Sequence, residues 1–199
     1  MRHVVSGIVA LLLVGGCAST ELCPQTPGDT QIEHITLRYP GNFDQVALEG
    51  PRMFGPDLEV MRYDDAYRGH AFRKQIDLRV QEDLIEGLVG AGRTELHVER
   101  YPDGFELQGL YAGNLGVLTF RRDRLEGHLG GRVFRLRNSA VDPRVYESNS
   151  GPAEQAVQIS TPQAVGGIHP GPTEIALPGN FGSLPTEHQA AVLAIFLGR

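Results

Sequence analysis

From Ile32 to Leu136 apolar and polar residues alternate with a period of two, the pattern of strands with one buried and one wetted face. The clearest run is Gln75 to Gln81, where Ile76, Leu78 and Val80 alternate with Asp77 and Arg79. Leu96 and Val98 alternate in the same way with Glu95, His97 and Glu99, and Phe105, Leu107 and Tyr111 bracket Gly109 on one face of the next strand. Ile32–Arg38 and Leu58–Tyr63 open the series, and Leu118 with Phe120, Leu125 with Leu129 and Phe134 with Leu136 continue it. Between the runs stand Pro40-Gly41-Asn42, Asp64-Asp65, Gly90-Ala91-Gly92, Pro102-Asp103-Gly104, Gly113-Asn114 and Gly130-Gly131, residues suited to reversing a hairpin. The pattern predicts a mainly β fold over residues 32–137: an antiparallel hairpin meander of about eight to ten short strands, forming a barrel or a strongly curled sheet.

A second regularity overlies the first. Gly50, Gly69, Gly87, Gly109 and Gly127 each follow a polar or charged residue and precede a β-like run, roughly 20 residues apart. Glycine inside a strand weakens pairing and marks a bulge, a bend or a close backbone approach. Repeated at matching places in successive hairpins, it is expected to coil the sheet in one sense.

Composition shifts after Asn138. Pro143, Pro152, Pro162, Pro170, Pro172 and Pro178 make residues 138–182 a surface connector, with Ala156–Ile159 and Thr173–Leu177 as short strands within it. Pro178-Gly179-Asn180-Phe181 repeats Pro40-Gly41-Asn42-Phe43, and in each copy the Phe is expected to fold back on the strand it ends. In the last segment, 183–199, Thr186-Glu187-His188-Gln189 reads as a capping box opening a helix from about Glu187 to Leu197. Ala190, Leu193, Ala194 and Leu197 share one face of it. A helix this short is marginal alone in water, so it is expected to dock on the β domain.

The other end of the chain carries a different signal. Met1-Arg2-His3 is a short positive start, Val4 to Val14 is apolar and too short to span a bilayer, and Val14-Gly15-Gly16-Cys17 follows. This tetrapeptide resembles the lipobox of bacterial lipoproteins. The resemblance implies cleavage between Gly16 and Cys17, removal of residues 1–16 as a signal peptide, a diacylglyceryl thioether on Cys17 and an acyl chain such as palmitate on its new amino group. Cys23 follows Leu22 and is a poor acylation site. Ala18 and Ser19, with no Asp behind the cysteine, match sorting to the outer membrane as enteric lipoproteins do it. Residues 17–31 then form a tether reaching up to ~45 Å.

Composition narrows function mostly by exclusion. With 199 residues, 41% of them hydrophobic, the chain holds one medium domain with appendages. Its 24 acidic residues are interspersed with 18 basic ones, all arginine except Lys74, so no basic face for nucleic acid is expected. His34, His70, His97, His128, His169 and His188 lack metal-ligand spacing, and Glu95, His97 and Glu99 read as a solvated strand face before a metal site. Asp64-Asp65 is turn chemistry, and the glycine-rich turns precede strands, where a phosphate loop would precede a helix. No catalytic residue, metal or cofactor is expected, and the sequence assigns no ligand-binding residue. The reading is a non-enzymatic envelope lipoprotein, held to the membrane through Cys17, serving as a binding or assembly module for an envelope protein. The alternative is a β-barrel carrier of a small apolar ligand or lipid, like a lipocalin in shape only, since a chain without tryptophan cannot hold the Gly-x-Trp signature.

Overall fold

The computed structural model describes residues 33–148 and 169–199. The signal peptide, Gly16, Cys17, the tether, Cys23 and the Ala156–Ile159 strand lie outside the described residues. Twelve strands follow one another as antiparallel hairpins: β1 (Glu33–Tyr39), β2 (Asn42–Glu49), β3 (Arg52–Gly55), β4 (Leu58–Arg62), β5 (Ala66–Ala71), β6 (Lys74–Val80), β7 (Leu84–Val89), β8 (Gly92–Tyr101), β9 (Gly104–Tyr111), β10 (Asn114–Arg121), β11 (Arg124–Leu129) and β12 (Arg132–Asn138). Three short strands complete the sheet: β13 (Val145–Glu147), β14 (His169–Pro170) and β15 (Glu174–Ala176). β15 lies between β1 and β13, and β13 pairs with β12, so the wall is a closed antiparallel barrel of 14 strands; β14 adds a parallel bridge to β12.

The ring holds more strands than the alternation predicts. β3 is squeezed between Pro51 and Pro56, β5 carries Gly69 inside it, and β13 and β15 have three residues each. Two segments of the Pro-rich connector, β13 and the strand expected at Thr173–Leu177, are therefore wall: Ile175 is fully buried, and its strand is bonded on both sides. Closure leaves the ring without an open edge, which removes the liability of an unpaired strand.

The glycines divide by role. Gly50 is a turn residue between β2 and β3, with φ +56° and open space where a side chain would stand. Gly69, Gly87, Gly109 and Gly127 sit inside β5, β7, β9 and β11, opposite the buried Val60, Leu78, Leu96 and Leu118. Their φ values run from +130° to +146°, and a Cβ on any of them would lie 2.1 Å from a carbonyl oxygen of the preceding strand. These four are kinks that bend the wall, one per hairpin.

Helix α1 (Thr186–Leu197) follows a 3-10 turn at Phe181–Ser183. All eight residues from Ala190 to Leu197 are buried, none more than 3% exposed, so the helix has no wetted face. A helix apolar all round must be enclosed. It is enclosed by the barrel. Near its start, Glu187 meets Arg100 of β8 and His188 meets Tyr67 of β5; past its end, Gly198 abuts Tyr111 of β9 and the β11–β12 turn. α1 thus threads the lumen from the rim bearing the β4–β5 and β8–β9 turns to the opposite rim. Its length of ~18 Å, at 1.5 Å per residue, suits a wall of six- to eight-residue strands.

Two local expectations fail. No side chain caps α1: Pro185 is the N-cap, Thr186 is already inside the first turn, and the Gln189 side-chain amide donates to the Leu184 carbonyl at 2.7 Å. The Pro185 carbonyl instead accepts the backbone N–H groups of His188 and Gln189, both at 2.9 Å. The paired Pro-Gly-Asn-Phe tetrapeptides also part company. Phe181 is buried edge-on against Phe120 at 6.1 Å, whereas Phe43 is 62% exposed on the outer wall, because strand parity turns it away from the lumen.

Candidate functional site

The outer wall is paved with charge. Arg52–Glu59 at 2.9 Å and Arg68–Asp77 at 3.2 Å bridge exposed positions, each worth at most about 1 kcal/mol, and Arg124–Glu126 at 2.8 Å bridges half-buried ones. Glu95 pairs with Arg93 on this wall, His97 lies exposed two residues on, and His70 and His128 are exposed beside their glycines. Glu95, His97, His70 and His128 are thus spread over a solvated surface. Among the described residues no three His, Cys, Asp or Glu side chains form a group able to hold a metal. Asp64 and Asp65 are exposed at the β4–β5 turn, where Asp65 meets Arg79 at 3.7 Å.

Polar groups turn inward at the two mouths. At the far mouth, where α1 ends, Arg199 pairs with Asp44 of β2 and lies over Tyr39 at 4.4 Å and Phe72 at 5.1 Å. Lys74 donates to the Gly198 carbonyl at 3.5 Å, and burial together with the Arg132 cation holds its ammonium below the ordinary lysine value. These contacts latch the end of the helix.

The near mouth is different in kind, because it keeps an open space. A cavity of ≈ 220 Å³ lies between the wall and the start of α1, walled by Leu48, Pro51, Met53, Leu184 and Val192, with Arg62, Tyr67 and Asn180 as its polar groups. Parity explains the arrangement. Leu58 and Val60 are the inward residues of β4, which makes Arg62 the next inward position, and Arg62 stands directly across from Tyr67 of β5. Leu48 and Met53 form the matching inward pair of β2 and β3.

Around this pair the electrostatics are set by burial. Burial pushes the Tyr67 phenol up to about 12, partly opposed by the Arg62 guanidinium. The Tyr67 hydroxyl meets His188 Nδ1 at 3.1 Å, with the rings 5.8 Å apart and tilted by 55°. Burial lowers the His188 pKa, Arg62 lowers it further, and Glu187 acts the other way. Glu187 is itself held by Arg100 at 2.9 Å. Arg62 makes no ion pair with a carboxylate among the described residues.

The His188 shift has a consequence for stability. A histidine whose folded pKa lies below its unfolded value binds protons more readily when the chain unfolds. Its contribution is intact above the unfolded pKa near 6.5 and is lost as pH falls from there through the folded pKa. Melting temperatures measured between pH 7.5 and pH 5.5 should fall for the native chain, and His188→Gln should flatten that slope. Parallel slopes for the two proteins would remove His188 from the account.

Sequence reasoning missed this mouth. The usable signal was that Arg62 and Tyr67 flank a hairpin turn and continue the parity of Val60; nothing local brings in His188, 121 residues from Tyr67. Comparisons with protein-family models, curated proteins and solved structures find no match.

Proposed function

We propose that this protein is a membrane-anchored envelope lipoprotein whose barrel is a non-enzymatic binding module, with the near mouth as its binding face. The observation carrying the reading is that the barrel is stoppered by its own helix yet keeps a cavity of mixed apolar and polar lining, with an inward Arg62, at one mouth. A stoppered barrel presents a rigid, preorganised rim, which lowers the entropy lost on binding. The lipobox at Val14–Cys17 supports the anchor. Glu33, the first residue of β1, lies on the same rim as the mouth.

The carrier reading keeps one supporting observation, the ≈ 220 Å³ cavity itself. With α1 in the lumen, such a carrier would accept only a small group at its mouth. Labelling with a palmitate analogue and membrane fractionation test the anchor. The native chain should take the label and sediment with membranes, and Cys17→Ser should lose both; a labelled, membrane-bound Cys17→Ser protein would overturn acylation at this position. Crosslinking in whole envelopes tests the module: a discrete adduct through the near mouth is expected, and its absence would count against a protein partner.

A further inference from the structure

The near mouth also states what chemistry it would take. We infer that it binds a small apolar carboxylate, with the hydrocarbon part in the cavity and the carboxylate on the Arg62 guanidinium. This deepens the reading of the mouth as a binding face and rests on it, while being independent of acylation at Cys17.

Three observations converge. The cavity, at ≈ 220 Å³, is smaller than the ~300–1,000 Å³ usual for ligand pockets and suits a short hydrocarbon. Its walls are aliphatic: Leu48 and Met53 from the wall, Leu184 from the segment before α1 and Val192 from the helix. The cation at its edge is half buried, inward by strand parity, and without a carboxylate partner among the described residues.

A guanidinium drawn partly out of water is costly unless an anion accepts its hydrogen bonds, and a carboxylate does so in two-pronged fashion. The surroundings favour one negative charge. The acid acting on the pair is Glu187, which Arg100 already neutralises, and Tyr67 stays a neutral phenol that shares its hydroxyl between His188 and the guanidinium. A cationic ligand would meet Arg62 directly. A neutral one would leave the guanidinium with the Tyr67 hydroxyl but without a countercharge.

Hexanoate, hexanol and hexylammonium are matched probes, to be titrated into the isotope-labelled full chain by NMR. Hexanoate should give saturable shifts at Val192, Tyr67 and His188, with an affinity at least about tenfold above hexanol, or ~1.4 kcal/mol, and hexylammonium should not bind. Arg62→Gln removes the charge, keeps two of the three methylenes and should erase the preference for hexanoate; Arg62→Lys should retain part of it. Val192→Phe fills the cavity and should abolish binding of hexanoate and hexanol alike, with melting temperature kept or raised. Equal affinity for hexanol and hexanoate would overturn the carboxylate assignment while leaving a binding mouth. No saturable shift with any probe, or undiminished binding to Val192→Phe, would overturn the site.

Discussion

Deletion of residues 183–199 should abolish the cooperative melt of the barrel. Val192, Leu193, Ile195, Phe196 and Leu197 are all buried, and at 1.5–3 kcal/mol apiece their burial contributes on the order of 10 kcal/mol. A domain of this size holds a net stability of about 5–15 kcal/mol, so losing the helix removes a term as large as the whole. The loss is compounded on the wall side. Ile76, Leu78, Ile85, Leu96 and Leu107, buried in the same core, would be left facing an emptied lumen. The pins at both ends go with it: Tyr67 with His188 and Arg100 with Glu187 at one rim, Asp44 with Arg199 at the other. A companion substitution, Ala194→Asp, keeps the chain length and sets an unpaired carboxylate at a fully buried position, for several kcal/mol. Near-ultraviolet dichroism and thermal melts read both. A truncated chain melting within a few degrees of the intact one would show that the wall stands without its helix.

The strands were legible because their alternation is local. β6 reads straight from Ile76, Leu78 and Val80, and the hairpin reversals from their glycines and prolines. The strand at Glu174–Ala176 was legible within Thr173–Leu177, but its place was not, since only the bonds to β1 and β13 set it in the ring and close the barrel. The enclosed helix was half legible. Its position follows from the Pro/Gly-rich stretch before it, and the absence of any polar residue from Ala190 to Leu197 already denied it a wetted face. The capping box failed because the helix starts one residue early, on Pro185 as N-cap, which carries Thr186 into the first turn. The mouth depends on both: Arg62 and Tyr67 face each other by hairpin parity, but only the threading of α1 brings His188 and Val192 to them.

Gly109→Ala should destabilise the barrel by about 2–4 kcal/mol, against about 1 kcal/mol for Gly50→Ala. The two glycines follow the same sequence pattern and differ in what surrounds them. Gly50 sits at φ +56° in a turn with nothing near its missing side chain, so alanine there meets only the left-handed backbone penalty. Gly109 sits at φ +145° inside β9, and a Cβ would lie 2.1 Å from the Glu95 carbonyl oxygen, a backbone atom bound into the ladder. The neighbouring strand must therefore shift or the kink must open. Gly69, Gly87 and Gly127 stand under the same constraint against Glu59, Asp77 and Val117. Two of the four kinks belong to β7 and β9, which with β6 and β8 are the strands nearest α1, so flattening a kink there moves the wall away from the helix. Urea unfolding measures the difference between the two variants, and hydrogen exchange locates it: in Gly109→Ala the amides from Ala190 to Leu197 should exchange faster, and in Gly50→Ala they should not. Equal losses in the two variants would make the strand glycines ordinary turn residues and leave the curvature of the wall to other causes.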